Sequence, residues 1–306
     1  MAVLRGGVLL CLVSCFLRVS SAQAWLPQKG QGSVTIAYQS IANLGHRIDD
    51  GTLLVNGQSL NRAIYVGFDY AATNRLSFTV GMPYVFGKYN DPNPPPPFLP
   101  YFEWDQCHCW QSGPQDVGIA ARYNLLLAHD GAFALTPSVF GLAPSNRYEY
   151  RGESVQGKRL WEAGFGMDVG QRLDFISRNL AVLGYYSYAF VERPVDLPNN
   201  RSNISAEGRY LLFHGRLVVR GFTFWQITHG GLTSSALRAL PPDDQRFVQH
   251  DRVLQDKFFH AGTGFSYSFP RFDVFASYLG YVNGKNTHAG RAFTVGVSVP
   301  FEFPRH

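Results

Sequence analysis

The chain has 306 residues, 16% of them charged and 15% aromatic, with a formal net charge of +5. Its charged share lies below the ~25% of ordinary soluble domains, and its mean hydropathy is near neutral at -0.11. Beyond the N-terminus no apolar run reaches the ~18 residues that a membrane helix needs, so any membrane crossing must be made by strands.

Residues 1–24 read as a secretory signal peptide, leaving 25–306 as one mature domain. Arg5 supplies the basic start, "VLLCLVSCFL" the apolar centre, and Ala22 to Ala24 the small-x-small cleavage site. A second exported reading places a lipobox at Leu12–Cys15, which would lipidate Cys15. Removing Arg5 and Arg18 leaves 25 basic against 22 acidic side chains, a net of +3. That bias is too weak to suggest a nucleic-acid partner. Cleavage also removes Cys11 and Cys15, so Cys107 and Cys109 alone cannot form a disulfide scaffold.

Alternation and turn chemistry then predict twelve strands in chain order. The first spans about 33–42. The next two, 58–71 and 75–86, are joined by a tight "ATN". Strands 115–127 and 132–142 meet at "AHDG", a hairpin signal. Then come 158–171, 178–191, 199–213, 215–229, 256–269, 271–282 and 287–302. Short connections alternate with long ones, apart from two short links on the long side. One long link holds the proline run Pro94–Pro97. Such asymmetry, an even strand count and strands longer than the 9–11 residues needed to cross are features of an outer-membrane β-barrel. Soluble sandwiches usually use strands of about 5–6 residues.

Parity assigns the two walls. Val295, Val297, Val299 and Phe301 should face lipid, as should Ile64, Val66, Phe68, Phe78, Val80, Ile119, Phe165, Val169, Phe259 and Phe265. Their alternates include Asp69, Asp116, Arg122, Glu162, Asp168, Glu207, Arg209, His260 and His288. Burying that many charges in a soluble core would be very costly, whereas a barrel lumen hydrates or pairs them. Arg220 joins the expected lumenal set, which forms either a charged constriction or a salt-bridged plug. Strands 132–142, 178–191 and 271–282 are apolar on both parities, and their facing stays open.

Several segments carry a family resemblance: "WLPQKGQGSVTIAYQ", "NRLSFTVGMPYVFG", "GPQDVGIAARYNLL" and "RAFTVGVSVPF". They resemble the outer-membrane barrel family found in phenol meta-cleavage degradation clusters, whose members are described as transporters. The resemblance implies an outer-membrane barrel and a role in moving aromatic compounds. Thr294, Gly296, Val299 and Phe301 resemble the C-terminal signal read by the barrel-assembly machinery, although "EFPRH" follows Phe301.

Histidines offer a second candidate site. His46, His229, His260 and His288 fall at strand ends on the long-loop side, where they would form a metal or ligand site or simply bind loop backbone. A lipid hydrolase would need Ser and His together on that side. Ser234 and Ser235 follow His229, but the His-x-Ser spacing is absent because position 231 is Gly. Cys107-His108-Cys109 suits a disulfide better than a metal cluster in an oxidising exterior. No P-loop or other cofactor motif occurs. The sequence therefore points to an outer-membrane channel for small solutes, possessing no cofactor and contacting lipid. The competing reading is a plugged structural or partner-binding barrel.

Overall fold

Backbone groups inside a bilayer find no water, so a strand-built membrane protein must close on itself. The computed structural model describes residues 24–303 except 56, 91–106, 129, 153 and 242. The signal peptide and Cys15, apart from Ala24, and the Pro94–Pro97 run lie outside the described residues. Twelve long antiparallel strands form the wall: β1 (Gln31–Arg47), β3 (Gln58–Ala71), β4 (Leu76–Asn90), β6 (Asp116–Tyr123), β8 (Phe133–Pro144), β9 (Glu162–Arg172), β10 (Leu180–Val191), β11 (Asn199–Leu212), β12 (Leu217–Gly230), β13 (Lys257–Ser268), β14 (Asp273–Lys285) and β15 (Thr287–Glu302). Three short strands extend it: β2 (Leu53–Leu54), β5 (Gln111–Pro114) and β7 (Leu126–Leu127). Each wall strand pairs with the next, and β15 pairs with β1 from Gln31↔Glu302 to Arg47↔Thr287, closing the barrel. Among the described residues no helix is long and apolar enough to cross a membrane.

Short turns at 72–75, 213–216 and 269–272 share one end with both barrel termini. The longer connections 91–115, 145–161 and 231–256 share the other. The expected strand 115–127 is broken. Asn124 is buried, its N–H donates to the Arg75 carbonyl at 2.7 Å and its Oδ1 accepts from Thr136, so the chain bends between β6 and β7. The expected start at 158 also moves: Arg159 has φ 48 and the strand begins at Glu162. The expected 33–42 strand runs on to Arg47 past a bulge between Asn43 and His46. The 231–256 connection holds three short helices, α1 (Ser234–Arg238), α2 (Gln245–Val248) and α3 (His250–Val253).

The external wall is the apolar one. Val297 is 40% exposed and Val299 49%, while Thr294, of the opposite parity, is 3% exposed. Ile64, Val66, Phe78, Val80, Ile119, Phe165 and Phe265 are likewise exposed. The ambiguous strands are settled by neighbours across the barrel. β8 turns Ala134, Thr136 and Ser138 inward, β10 turns Leu183, Ser187 and Ala189 inward, and both leave Val139, Val182 and Phe190 outside. β14 leaves Tyr278 and Val282 outside. At the turn end Phe301 stacks on Phe68 at 5.4 Å and meets Phe303 at 5.2 Å, with Phe303 edge-on to Tyr70. These rings form part of the interfacial aromatic belt expected of such barrels.

Candidate functional site: a two-sided lumen

One side of the lumen is charged. Thr79 links two of the expected residues: its hydroxyl donates to Asp69 at 2.5 Å and accepts from Arg122 at 2.7 Å. Asp116 accepts from the Tyr148 hydroxyl at 2.5 Å. Glu162 pairs with Arg201 at 2.7 Å. Glu207 pairs with Arg209 and, at 3.8 Å, with Arg220. Asp168 is 2% exposed on β9 between these groups. Asp69, Asp116, Arg122, Glu162, Asp168, Glu207, Arg209 and Arg220 share the parity of the buried positions on their strands. Arg201 was missed, although it shares parity with Glu207 and Arg209 on one strand.

The other side carries three apolar clusters set among buried polar groups such as Gln39, Asn43, Asn61, Gln226, His260 and Thr294. Phe224 and Phe258 pack together with Tyr281. Ile41, Ala292 and Leu279 form a second cluster, and Ala37, Ala63, Tyr65, Val85 and Phe275 a third nearer the turn end. The Tyr65 ring lies over Gly67 and Gly81, where any Cβ would collide with it. Phe275 covers Gly296 in the same way.

The loop end is latched from inside. Lys158 pairs with Asp256 at 3.3 Å, both almost fully buried, and Thr228 donates to the same carboxylate. Arg252 donates to the carbonyls of Lys158 and Arg159 and to Glu192, each at 3.1 Å. Its guanidinium also lies 4.7 Å from the Tyr150 ring centroid. These bonds tie connection 145–161 to connection 231–256. Burial, and then the Asp116 charge beside it, raise the Tyr148 pKa above its usual range. None of these latch residues was anticipated, because each partner lies far away in sequence.

At the turn end the chain before β1 enters the barrel. Ala24 is fully buried, and its carbonyl accepts from Thr136 at 2.6 Å. Trp25 donates to the Gly131 carbonyl at 2.9 Å and packs near Ala134 and Leu183. Gly170 on β9 makes room, since a Cβ there would meet both Ala24 and Trp25. A cleft of about 450 Å³ lies between Trp25–Gln28 and Asn74, Asn124 and Leu127.

The histidines separate. His46 and His288 meet edge to face at 5.2 Å. His260 is buried beside Phe258 and Tyr281. His229 does not join them. β12 turns it to the external wall, where it bonds Ser202 at 2.8 Å and stacks on Tyr188. Among the described residues no three His, Cys, Asp or Glu side chains could hold a metal ion. The serine of the loop motif meets a different histidine. His46 Nε2 is 3.4 Å from Ser234 Oγ, but that hydroxyl donates to Asn286 at 2.8 Å. A nucleophilic serine needs its proton directed to the base, and here Asn286 holds it. Cys107 and Cys109 are joined as a disulfide near the loop end, with Gln111 donating to Cys109 Sγ at 3.4 Å. Of the residues resembling an insertion signal, Thr294 accepts from Gln39 at 3.0 Å inside the barrel, while Val299 and Phe301 lie outside.

No protein-family model and no curated protein matches the chain in sequence. Solved structures do resemble it. The COG4313 outer membrane channel from Pseudomonas putida F1 superposes with a TM-score of 0.67 at 12% identity, over 90% of this chain and 97% of that one. The translocator domain of autotransporter NalP from Neisseria meningitidis superposes with a TM-score of 0.53 at 10% identity, over 95% of each chain. At such identities the likeness establishes a fold. With the apolar external wall and complete closure, the chain is a twelve-stranded antiparallel barrel of the bacterial outer-membrane type.

Proposed function

We propose that the chain is an outer-membrane channel for small amphipathic solutes, aromatic compounds among them. The observation that carries this reading is the two-sided lumen. Separate clusters around Phe258, Ile41 and Tyr65 offer apolar contact on one side, and Arg122, Arg201, Arg209 and Arg220 with their carboxylates line the other. A solute with a ring and a polar group would use both sides at once, as ligand sites combine apolar walls with a few placed polar groups. The resemblance to barrels of phenol-degradation clusters and the COG4313 channel fold support the same reading. Lipid is the solvent of the external wall, and the barrel-assembly machinery is the partner that Phe301 and its neighbours would engage.

A second reading has its own observation. Trp25 enters the barrel at the turn end and the Lys158–Asp256 pair ties two connections together at the loop end, contacts that a plugged structural barrel would use. Planar-bilayer recording with the purified protein separates the two. A channel gives resolved single-channel steps, and phenolic or benzoate-type solutes should reduce the current. A membrane-inserted protein that never conducts supports the plug and removes the channel reading.

A further inference from the structure

The external wall carries charges of one sign, at one end, on one half of the barrel. Every carboxylate on the wall strands has lumenal parity: Asp69, Asp116, Glu162, Asp168, Glu207 and Asp273, with Glu302 at the turn-end terminus. Apart from Arg47 at the last position of β1, whose guanidinium donates to the Gly51 carbonyl, five basic residues have external parity: Lys257, Lys285, Arg291, Arg62 and Lys88. All five sit at the loop end, on β13, β14, β15, β3 and β4, which with β1 are consecutive around the barrel. Among the described residues none of the five forms an ion pair with a carboxylate. The external loop-end positions on β10 to β12 hold no lysine or arginine; Phe190 and Ser202 are among them.

Register places these cations together. Arg291 lies opposite Ala42, Ala42 opposite Leu60, and Leu60 opposite Lys88. One external row nearer the turn end, Phe293 lies opposite Ser40, and Ser40 opposite Arg62. Two strand spacings separate Arg291 from Arg62 sideways, roughly 10 Å. Only the small side chains of Ser40 and Ala42 stand between them on β1. Arg62 is steadied by Trp110, its guanidinium 4.7 Å from the ring centroid. Lys257 lies directly opposite Lys285. Like charges facing each other across two strands are destabilising, unless an anion sits between them.

We infer that this half-rim binds a phosphorylated glycolipid of the outer leaflet, with its sugar phosphates on the cations. The acyl chains would run down the belt below the cations on the same strands, along Phe293, Val295, Ile64 and Val66, all exposed. That continuity selects a lipid over free phosphate. Arginine suits the task because its planar fork holds phosphate oxygens in pairs. The inference rests on the outer-membrane reading for the placement of the loop end. It uses no lumenal residue.

The test is native mass spectrometry of the purified barrel with three probes: diphosphorylated lipid A, the same lipid with its phosphates removed, and inorganic phosphate. Diphosphorylated lipid A should remain bound, while the dephosphorylated lipid binds about tenfold or more weakly, the loss expected when charge-assisted contacts are removed. R62Q/R291Q should show a similar loss, with unchanged conductance. If that variant does not fold, K257Q/K285Q provides the second test. It should match or exceed the wild-type unfolding midpoint without lipid and should gain less when lipid is added. Equal binding of the dephosphorylated lipid, wild-type binding by the variants, or comparable binding of phosphate alone would overturn the inference. A wild type that binds the lipid but never conducts would remove the channel proposal and leave this one standing.

Discussion

Arg201 of β11 reaches over β10 to bind Glu162 of β9, 2.7 Å apart inside the barrel. The residue of β10 beside Arg201 is Ala189, almost fully buried. A larger side chain there would stand between the two charges. Small residues on one strand thus let long ones on its neighbours meet. Glu162→Gln removes the carboxylate that contacts buried Arg201, which should destabilise the barrel by about 3–5 kcal/mol. E162L/R201M should recover much of that loss. Denaturant midpoints followed by gel-shift of the folded form measure both, and an unaltered midpoint for the single variant contradicts the pairing.

Arg122 and Arg209 should set ion preference if the lumen conducts. Neutralising both removes two positive charges from a lumen that keeps its carboxylates, so reversal potentials under a salt gradient should move toward cation preference. Conduction with unchanged preference would show that these arginines lie outside the ion path.

Facing on β15 has a direct test. Val297→Arg puts a charge toward lipid, which costs about 2–4 kcal/mol near the middle of such barrels. Ser298→Arg puts it in the lumen beside Thr35, whose hydroxyl donates to Ser298 at 3.0 Å. The first should reduce the yield of folded barrel and the second should alter conductance. Equal tolerance at both sites would contradict the assigned facing.

Tyr148 should give the loop latch an alkaline limit. Its pKa is raised by burial and by Asp116, so the folded state favours the neutral phenol. The stabilisation is complete below the unfolded pKa of 10.0 and is lost as pH rises above it. Protease cleavage within 145–161 should therefore increase above about pH 10 in the wild type. Tyr148→Phe should flatten that dependence while weakening the latch at neutral pH. An equally steep alkaline rise in the variant would assign it to another group.

The loop end should face the medium. Asp243 is exposed in the connection between β12 and β13. Asp243→Cys should react with a membrane-impermeant maleimide on intact cells. Reaction only after the outer membrane is broken would invert the topology and, with it, the lipid proposal.

Much of this architecture is legible in the chain alone. The period-two run Val295, Val297, Val299, Phe301 fixes a strand with one apolar wall, because alternation is a local property of extended backbone. The same parity places Asp116, Arg122, Glu162 and Glu207 on the lumenal side. Local pattern carries no more than that. Where both parities are apolar, as on β8, β10 and β14, only packing across the barrel selects the inner face. Which charges meet depends on the register between strands distant in sequence. That is why the pairing of Arg201 with Glu162 is not legible, why His46 rather than His229 approaches Ser234, and why Lys158 finds Asp256. The single-sign external rim emerges the same way, because no segment holds more than two of its five cations and only closure of β15 on β1 sets Arg291 beside Arg62.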